Sequence, residues 1–405
     1  MISGPGQAFS RGVLSWLVVL AAGWTGLIAV NYRARDPDSR LYAEISARMA
    51  MAPAEGWIAP EFPQGWYMNG LYREHPVGLF VPSAALARLG YPPEQAAYAM
   101  NAVYQVLGIV LLQRLAATRV PDLEARALGW LIQLLPIAFT FRIRANQEAA
   151  VLLCLLAALY GTERVRERPR FAVLTAAGLV GLLLVKGIFA GFGPALCVLW
   201  LASRRVATGE RGGDRAAWAG IAAGVLAMAV AAAVYELLYR QASGEPFWSF
   251  YVARQLGVAA ATTDASSPIG GWIYNLVWYL GRVLWFPFPW SLALALALWR
   301  ASRGSREGGA DAAARAGALF AIAAGALYVG LFCFSDRRAD RYIFPVYYAV
   351  GAAGIVAALR GIPSLRKLVT RLDRPWLPAA MWGMTFALHL VAGRLGLPTV
   401  KVWAP

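Results

Sequence analysis

Asp36 and Asp38 stand one residue apart in "NYRARDPDSRLYAEISARM" (31–49), directly after a run of about twenty apolar residues, the length that crosses a hydrocarbon core. A carboxylate at such a junction can take the proton of an attacking hydroxyl as a general base, and a second one two residues away can raise its pKa or share a cation with it. Asp and Pro also favour turns, so a solvated Asp-Pro-Asp turn is the structural alternative. Four basic side chains stand at the ends of other apolar runs: His75 before Pro76, Arg144 in "FRIRANQE" (141–148), Lys186 between two apolar stretches and Arg338 in "SDRRADR" (335–341). Groups of this kind stabilise the negative charge that grows on a leaving phosphate, more strongly in a site lined by lipid and protein than in water. Their bland readings are an interfacial loop residue for His75, a snorkelling side chain for Arg144 and a self-neutralising charged turn for "SDRRADR". Lys186 has a weaker bland reading, because a cation between apolar runs is costly. Glu148 either joins these groups or favours the start of its own helix through the dipole. Tyr42 and Tyr342 can hydrogen-bond a sugar or a phosphate.

The elements that must position these residues are set by composition. Of 405 residues 59% are hydrophobic and 15% charged, and the mean hydropathy is +0.51, too apolar for a soluble domain of this size. Spans are expected near 12–31, 95–116, 127–143, 147–162, 171–186, 188–202, 216–239, 272–299, 316–334, 341–359 and 376–394, about eleven in all, each near the length a bilayer requires. The first lacks a convincing cleavage site and reads as an uncleaved span. The net charge of +16 does not call for nucleic acid. With the N-terminus in the cytoplasm, the basic connections 118–126, 161–170, 203–215, 300–315 and 360–374 all fall on the cytoplasmic side, as the positive-inside rule requires. The candidate residues fall on the opposite face, with the first loop (32–94). Inside that loop 40–51 and 77–90 are too short or too charged to span and suit interfacial helices, a shallow hairpin being the rival for the second. The chain reads as a single membrane domain over 1–405, with no soluble appendage and a tail after the last span too short to fold alone. Cys154, Cys197 and Cys333 lie in apolar runs as small core hydrophobes. The tryptophans 272, 278, 285 and 290 read as an interfacial belt, and His389 as a core histidine.

Periodicity stops at a polytopic membrane protein, but the order of local motifs resembles the GT-C glycosyltransferases that use polyprenyl-phosphate sugars, the clan of protein O-mannosyltransferases and lipid A aminoarabinose transferases. "DPDSRLYAEISARM" resembles that family's Asp-Glu and following tyrosine after the first span, with Asp38 at the catalytic aspartate, Tyr42 at the tyrosine and Ser39 in place of the usual Glu. "YREHPVGLF" (72–80) is similar to Y-x-E-K-P-P, matching Glu74 and Pro76, with His75 in place of Lys. "FRIRANQEAAVLL" (141–153) resembles an arginine turn leading into an acidic residue, placing Arg144 and Glu148. "GLLLVKGIFAGFGP" (181–194) matches Lys186 and Gly187. "FSDRRADRYIFPVYY" (334–348) matches Ser335, Tyr342 and Pro345, with Arg338 at the basic position. "PFWSFY" (246–251) and "FPFPW" (286–290) are weaker echoes. The motifs run in family order from about residue 20 to 360, all on one expected face. Some relatives hold zinc through a Glu and two His. Here only His75 and His389 exist, and Gln255 stands where one histidine is expected, so Glu74 is not assigned a metal.

The resemblance implies an all-α, GT-C-like membrane enzyme that transfers a sugar from a polyprenyl-phosphate carrier to an acceptor hydroxyl or other nucleophile, with inversion. Asp38 would be the base, assisted by Asp36, with a divalent cation left open and no other cofactor. Tyr42, Glu74, His75, Arg144, Glu148, Lys186, Arg338 and Tyr342 would bind substrate. The acceptor would be a membrane lipid, a glycan or a protein, and the location the inner membrane with an extracytoplasmic site. A transporter or flippase of a lipid-linked saccharide is the rival class, although the paired, Gly/Pro-broken repeats of many transporters are not apparent. A structural scaffold is the third.

Overall fold

The computed structural model describes residues 5–30, 32, 36–62, 70–209, 214–260, 268–303, 312–335 and 338–394. The tail from 395 and Arg337, both weighed from sequence, lie outside them. In chain order the α-helices are α1 (Pro5–Ala29), α2 (Pro37–Met51), α3 (Phe80–Arg88), α4 (Pro93–Ala116), α5 (Asp122–Leu131), α6 (Pro136–Phe141), α7 (Glu148–Arg164), α8 (Ala172–Lys186), α9 (Phe192–Thr208), α10 (Arg215–Ser243), α11 (Trp248–Ala260), α12 (Pro268–Trp285), α13 (Trp290–Ser302), α14 (Ala312–Phe332), α15 (Phe344–Gly361), α16 (Pro363–Leu372) and α17 (Leu377–Arg394). A backbone that meets lipid must satisfy its own hydrogen bonds, and helices do so segment by segment. The chain is an all-helical integral membrane protein.

Five helices are long and apolar enough to cross a bilayer: α4, α8 and α15 with their leading 3-10 turns for the last two, α10 and α14. A sixth counts if α12 and α13 form one span bent by 101°. These counts hold among the described residues. The remaining expected spans appear as shorter or broken helices. The 127–143 run breaks before Pro136 into α5, a 3-10 turn and α6, because proline lacks the amide that would continue the ladder. The 272–299 run breaks at "FPFP" between α12 and α13 for the same reason. Between the spans expected near 216–239 and 272–299 lies α11, and the basic connection 360–374 contains α16. The two helices expected inside the first loop are present as α2 and α3. At nine residues α3 is roughly 13 Å long, too short to span.

The helices that carry the candidate residues are locked together by close crossings. α8 packs on α7 where a side chain at Gly178 would lie 2.5 Å from the backbone of Cys154 and Ala158, so only glycine allows this approach. α8 then stops at Lys186 because Gly187 takes a φ of +61°, a conformation that other residues rarely adopt. α2 lies across α3 and α4, and a separate apolar cluster of Tyr42, Ile45, Met49, Phe80, Phe247 and Tyr251 ties the first loop to α10 and α11. α1 is held to α17 by Trp24 against Phe386.

The basic connections share one end of the bundle, as alternation implied. Arg119 pairs with Glu163, Arg126 with Asp373, Arg360 with Glu124, and Arg166 and Arg205 with Asp214. The candidate residues lie at the other end. Seventeen residues of α7, roughly 25 Å at 1.5 Å per residue, separate the two.

Candidate functional site

Asp36 and Asp38 have different jobs in the fold. Asp36 is the N-cap of α2: its Oδ2 accepts the Ser39 amide at 3.0 Å, and Pro37 supplies a preset first turn. Its other oxygen faces Arg144 Nε at 3.7 Å. The turn reading of Asp36 is thus correct as far as it goes, but the turn is partly buried rather than solvated. Ser39 is fully buried; its Oγ lies 2.8 Å from Asp36 Oδ2 and 2.6 Å from Asn146 Oδ1, and accepts the Ala145 amide at 3.1 Å. That bridge fastens the start of α2 to the turn before α7. Asp38, in the first turn of α2, points elsewhere and pairs with Arg341.

Arg341 belongs to the 3-10 turn Asp340–Ile343 that leads into α15. It lines a cleft together with Glu148, Lys186 and Tyr342. The walls are aromatic and aliphatic. Phe332 stacks on Tyr342 at 5.0 Å and Phe192 on Tyr328 at 4.1 Å, and the cleft holds roughly 490 Å³ of empty space counted to its mouth. Glu148 opens α7 and is 2% exposed; Lys186 Nζ approaches its Oε1 at 3.6 Å. Its electrostatic neighbours include Arg144 and Asp36 as well as Lys186. The helix-start and site readings of Glu148 therefore coexist. Three acids, Asp36, Asp38 and Glu148, face three cations, Arg144, Lys186 and Arg341, in one cluster drawn from α2, α7, α8 and the turns before α7 and α15.

His75 sits behind this cluster. Its Nε2 is 3.4 Å from Gln147 Nε2, and its ring meets the edge of buried Tyr42 at 6.0 Å. Burial first, and then the nearby Lys186 charge, hold its pKa down to about 3. At neutral pH it is an uncharged imidazole, so the sequence-based expectation of a phosphate-binding cation is corrected to a neutral hydrogen-bonding group. Glu74 turns away to α11, where Arg254 Nη2 donates to its Oε1 at 2.9 Å and Gln255 Nε2 to its carbonyl at 3.1 Å. Its carboxylate is thus committed to a guanidinium. Among the described residues no three His, Cys, Asp or Glu side chains gather as a metal site, and no step is assigned to a divalent cation.

The structure brings together Asp36, Asp38, Glu148, Arg144, Lys186 and Tyr342, with His75 and Tyr42 beside them, and turns the Glu74 carboxylate to Arg254. It leaves Arg338 outside, exposed, with its guanidinium 4.4 Å from the ring centre of Tyr274 on α12. The arginine of "SDRRADR" that reaches the cleft is Arg341. Arg254 was also missed. The signal for Arg341 is its position three residues before α15. For Arg254 it is the apolar-aromatic run 246–253, which already echoed a family motif.

No protein-family profile and no curated protein match the chain by sequence. By structure it is similar to ArnT from Cupriavidus metallidurans in the apo state, with a TM-score of 0.65 and 19% identity over 96% of this chain and 78% of that one. The same protein bound to undecaprenyl phosphate gives 0.65 and 20% over 96% and 77%. The apo oligosaccharyltransferase of Archaeoglobus fulgidus gives 0.52 and 14% over 95% of this chain and 55% of that one, so the chain spans about half of its length. At these identities the likeness is one of fold. It is the GT-C-like membrane fold that the ordered motifs led us to expect.

Proposed function

We propose that this chain is an inverting membrane glycosyltransferase that moves a sugar from a polyprenyl-phosphate carrier to an acceptor nucleophile on a lipid, glycan or protein. The observation that carries the reading is the convergence of Arg341, Lys186 and Glu148 on a cleft with apolar walls, with Asp38 paired to Arg341. The likeness in fold to ArnT, which binds undecaprenyl phosphate, supports the donor class. We place the protein in the inner membrane with this end extracytoplasmic, on the distribution of basic connections.

In the reaction the acceptor hydroxyl attacks the anomeric carbon from the side opposite the phosphate, and Asp38 takes its proton. The new carbon–oxygen bond forms as the bond from carbon to the phosphate oxygen breaks. The electron pair leaves with the polyprenyl phosphate, where Lys186 and Arg341 meet the growing charge. Before donor arrives, Arg341 is held by Asp38; the donor phosphate competes for that guanidinium and releases the carboxylate to act as base. Asp36 and Ser39 position Asp38 through the first turn of α2, and Arg144 steadies Asp36. Tyr342 and the neutral His75 offer hydrogen bonds to sugar or phosphate.

The test is turnover by purified protein given synthetic polyprenyl-phosphate sugars. Free polyprenyl phosphate should appear, and Asp38→Asn should slow its release by about 10²–10⁴, the usual worth of a general base, while circular dichroism stays unchanged. Sugar and carrier that stay joined and only cross a liposome membrane would identify a transporter and overturn the proposal.

A further inference from the structure

At the end of the bundle away from the candidate site, an apolar cavity terminates on a buried arginine. The cavity lies between α4, α7, α14 and α15, with roughly 800 Å³ of empty space counted out through its open side, lined by leucines and alanines and also by Arg119, Trp200 and Phe320. Along α15 it reaches from Pro345 to Val356, roughly 16 Å at 1.5 Å per residue. The Arg119 side chain is 9% exposed. Its Nη2 donates to Glu163 Oε2 at 2.7 Å, and its guanidinium carbon sits 3.5 Å from the ring centre of Trp200, whose Nε1 donates to the same oxygen at 2.8 Å. Nε and Nη1 of Arg119 are buried and have no hydrogen-bond partner.

The acid that meets this arginine is shared. Glu163 is shared with Arg204 at 3.9 Å, and Asp214 is divided among Arg166 at 3.2 Å, Arg204 at 3.9 Å and Arg205 at 2.7 Å. Among the described residues Arg119 thus shares its carboxylate partner with a second arginine, beside a long apolar cavity. Buried donors without acceptors are costly, and an ionised phosphodiester is the acceptor that matches guanidinium charge and geometry. We propose that this cavity binds an anionic phospholipid from the leaflet opposite the candidate site, its phosphate on Arg119 and one acyl chain in the cavity. The site is separate from the reaction proposed above and does not depend on it. Its other end abuts the catalytic cleft, with which it shares Leu155 and Pro345, so the donor's polyprenyl chain is the competing occupant.

The experiment uses the full chain reconstituted in phosphatidylcholine nanodiscs carrying phosphatidylglycerol or phosphatidylcholine with brominated acyl chains, and reads the quenching of Trp200 as the difference from Trp200→Phe. Brominated phosphatidylglycerol should quench at concentrations about tenfold lower than brominated phosphatidylcholine, the worth of one charge-assisted hydrogen bond. Arg119→Gln should erase that preference. Gly317→Leu, which fills the cavity from a position with no atom within 4 Å of its Cβ, should abolish quenching by both lipids while leaving Arg119 in place. Equal quenching by the two lipids in the unaltered protein, a preference that survives both substitutions, or displacement of the brominated lipid by polyprenyl phosphate would each overturn the proposal.

Discussion

Asp38 at the start of α2 forms an ion pair with Arg341, which lines the cleft just before α15, and 32% and 29% of their side chains are exposed. The two come from opposite ends of the chain, and their meeting makes one site of the first loop and the late charged turn. Replacing Arg341 with Gln removes a donor to the leaving phosphate and should lower kcat by about 10²–10³. Arg338→Gln, on a residue that lies over Tyr274, should change it by no more than about twofold. Turnover of the two variants compared side by side checks the assignment, and the reverse order of effects would return the role to Arg338.

Glu148 and Lys186 are buried as a pair, with 2% and 10% of their side chains exposed. Removing one partner leaves the other as an uncompensated buried charge, which costs about 3–5 kcal/mol. Lys186→Met alone should therefore destabilise strongly, while the double variant Glu148→Gln with Lys186→Met should regain most of the loss. Thermal unfolding in detergent reads this directly, and both variants should be inactive.

His75 titrates near 3 in the fold against an ordinary value of about 6.5 when unfolded. Between those values the unfolded chain binds the extra proton, so stability is complete above about pH 6.5 and is lost as pH falls toward 3. His75→Gln should flatten the acid limb of the Tm-against-pH curve between these limits. An acid limb of unchanged slope would mean that His75 is not the group that titrates.

Ser39 joins Asp36 to Asn146 from a fully buried position. Ser39→Ala keeps the helix but loses the bridge, at a cost of about 1–2 kcal/mol. Because Asp38 is held by that same first turn, kcat should fall while donor KM moves little. Ser39→Thr, which restores the hydroxyl, should recover part of the rate.

Gly187 ends α8 with a positive φ, and a side chain there would collide with the Tyr251 ring, whose hydroxyl donates to Lys186 carbonyl oxygen at 2.8 Å. Gly187→Ala should cost about 1–3 kcal/mol in backbone strain alone and should displace Lys186. Differential scanning fluorimetry together with donor affinity measures both effects, and unchanged values for the two would show that the turn tolerates a Cβ.

Much of the site was legible because helix ends are local. The apolar runs before Asp36, before Lys186 and after Glu148 mark where a polar side chain leaves lipid, and alternation of the connections placed those ends together. The first-loop helices α2 and α3 were likewise legible, from short runs with charge on one side. What stayed hidden depended on contacts between distant segments. Nothing in the charges of "YREHP" (72–76) could show that His75 is neutral, since its state follows from the burial that surrounds it and from Lys186.

The sequence by itself determined the membrane class, the helical elements and the set of polar residues at one end, because hydropathy and turn chemistry act over a few neighbouring residues. The tertiary structure alone decided which of them meet. Arg341 and Arg338 share one short charged run, but Arg341 lies inside the 3-10 turn before α15 and reaches Asp38, while Arg338 precedes that turn and lies over Tyr274. Likewise, Asp36 and Asp38 are near-identical in sequence context. One is spent on capping α2 and the other is paired with Arg341, because residues two apart at a helix start point about 200° apart and meet different partners.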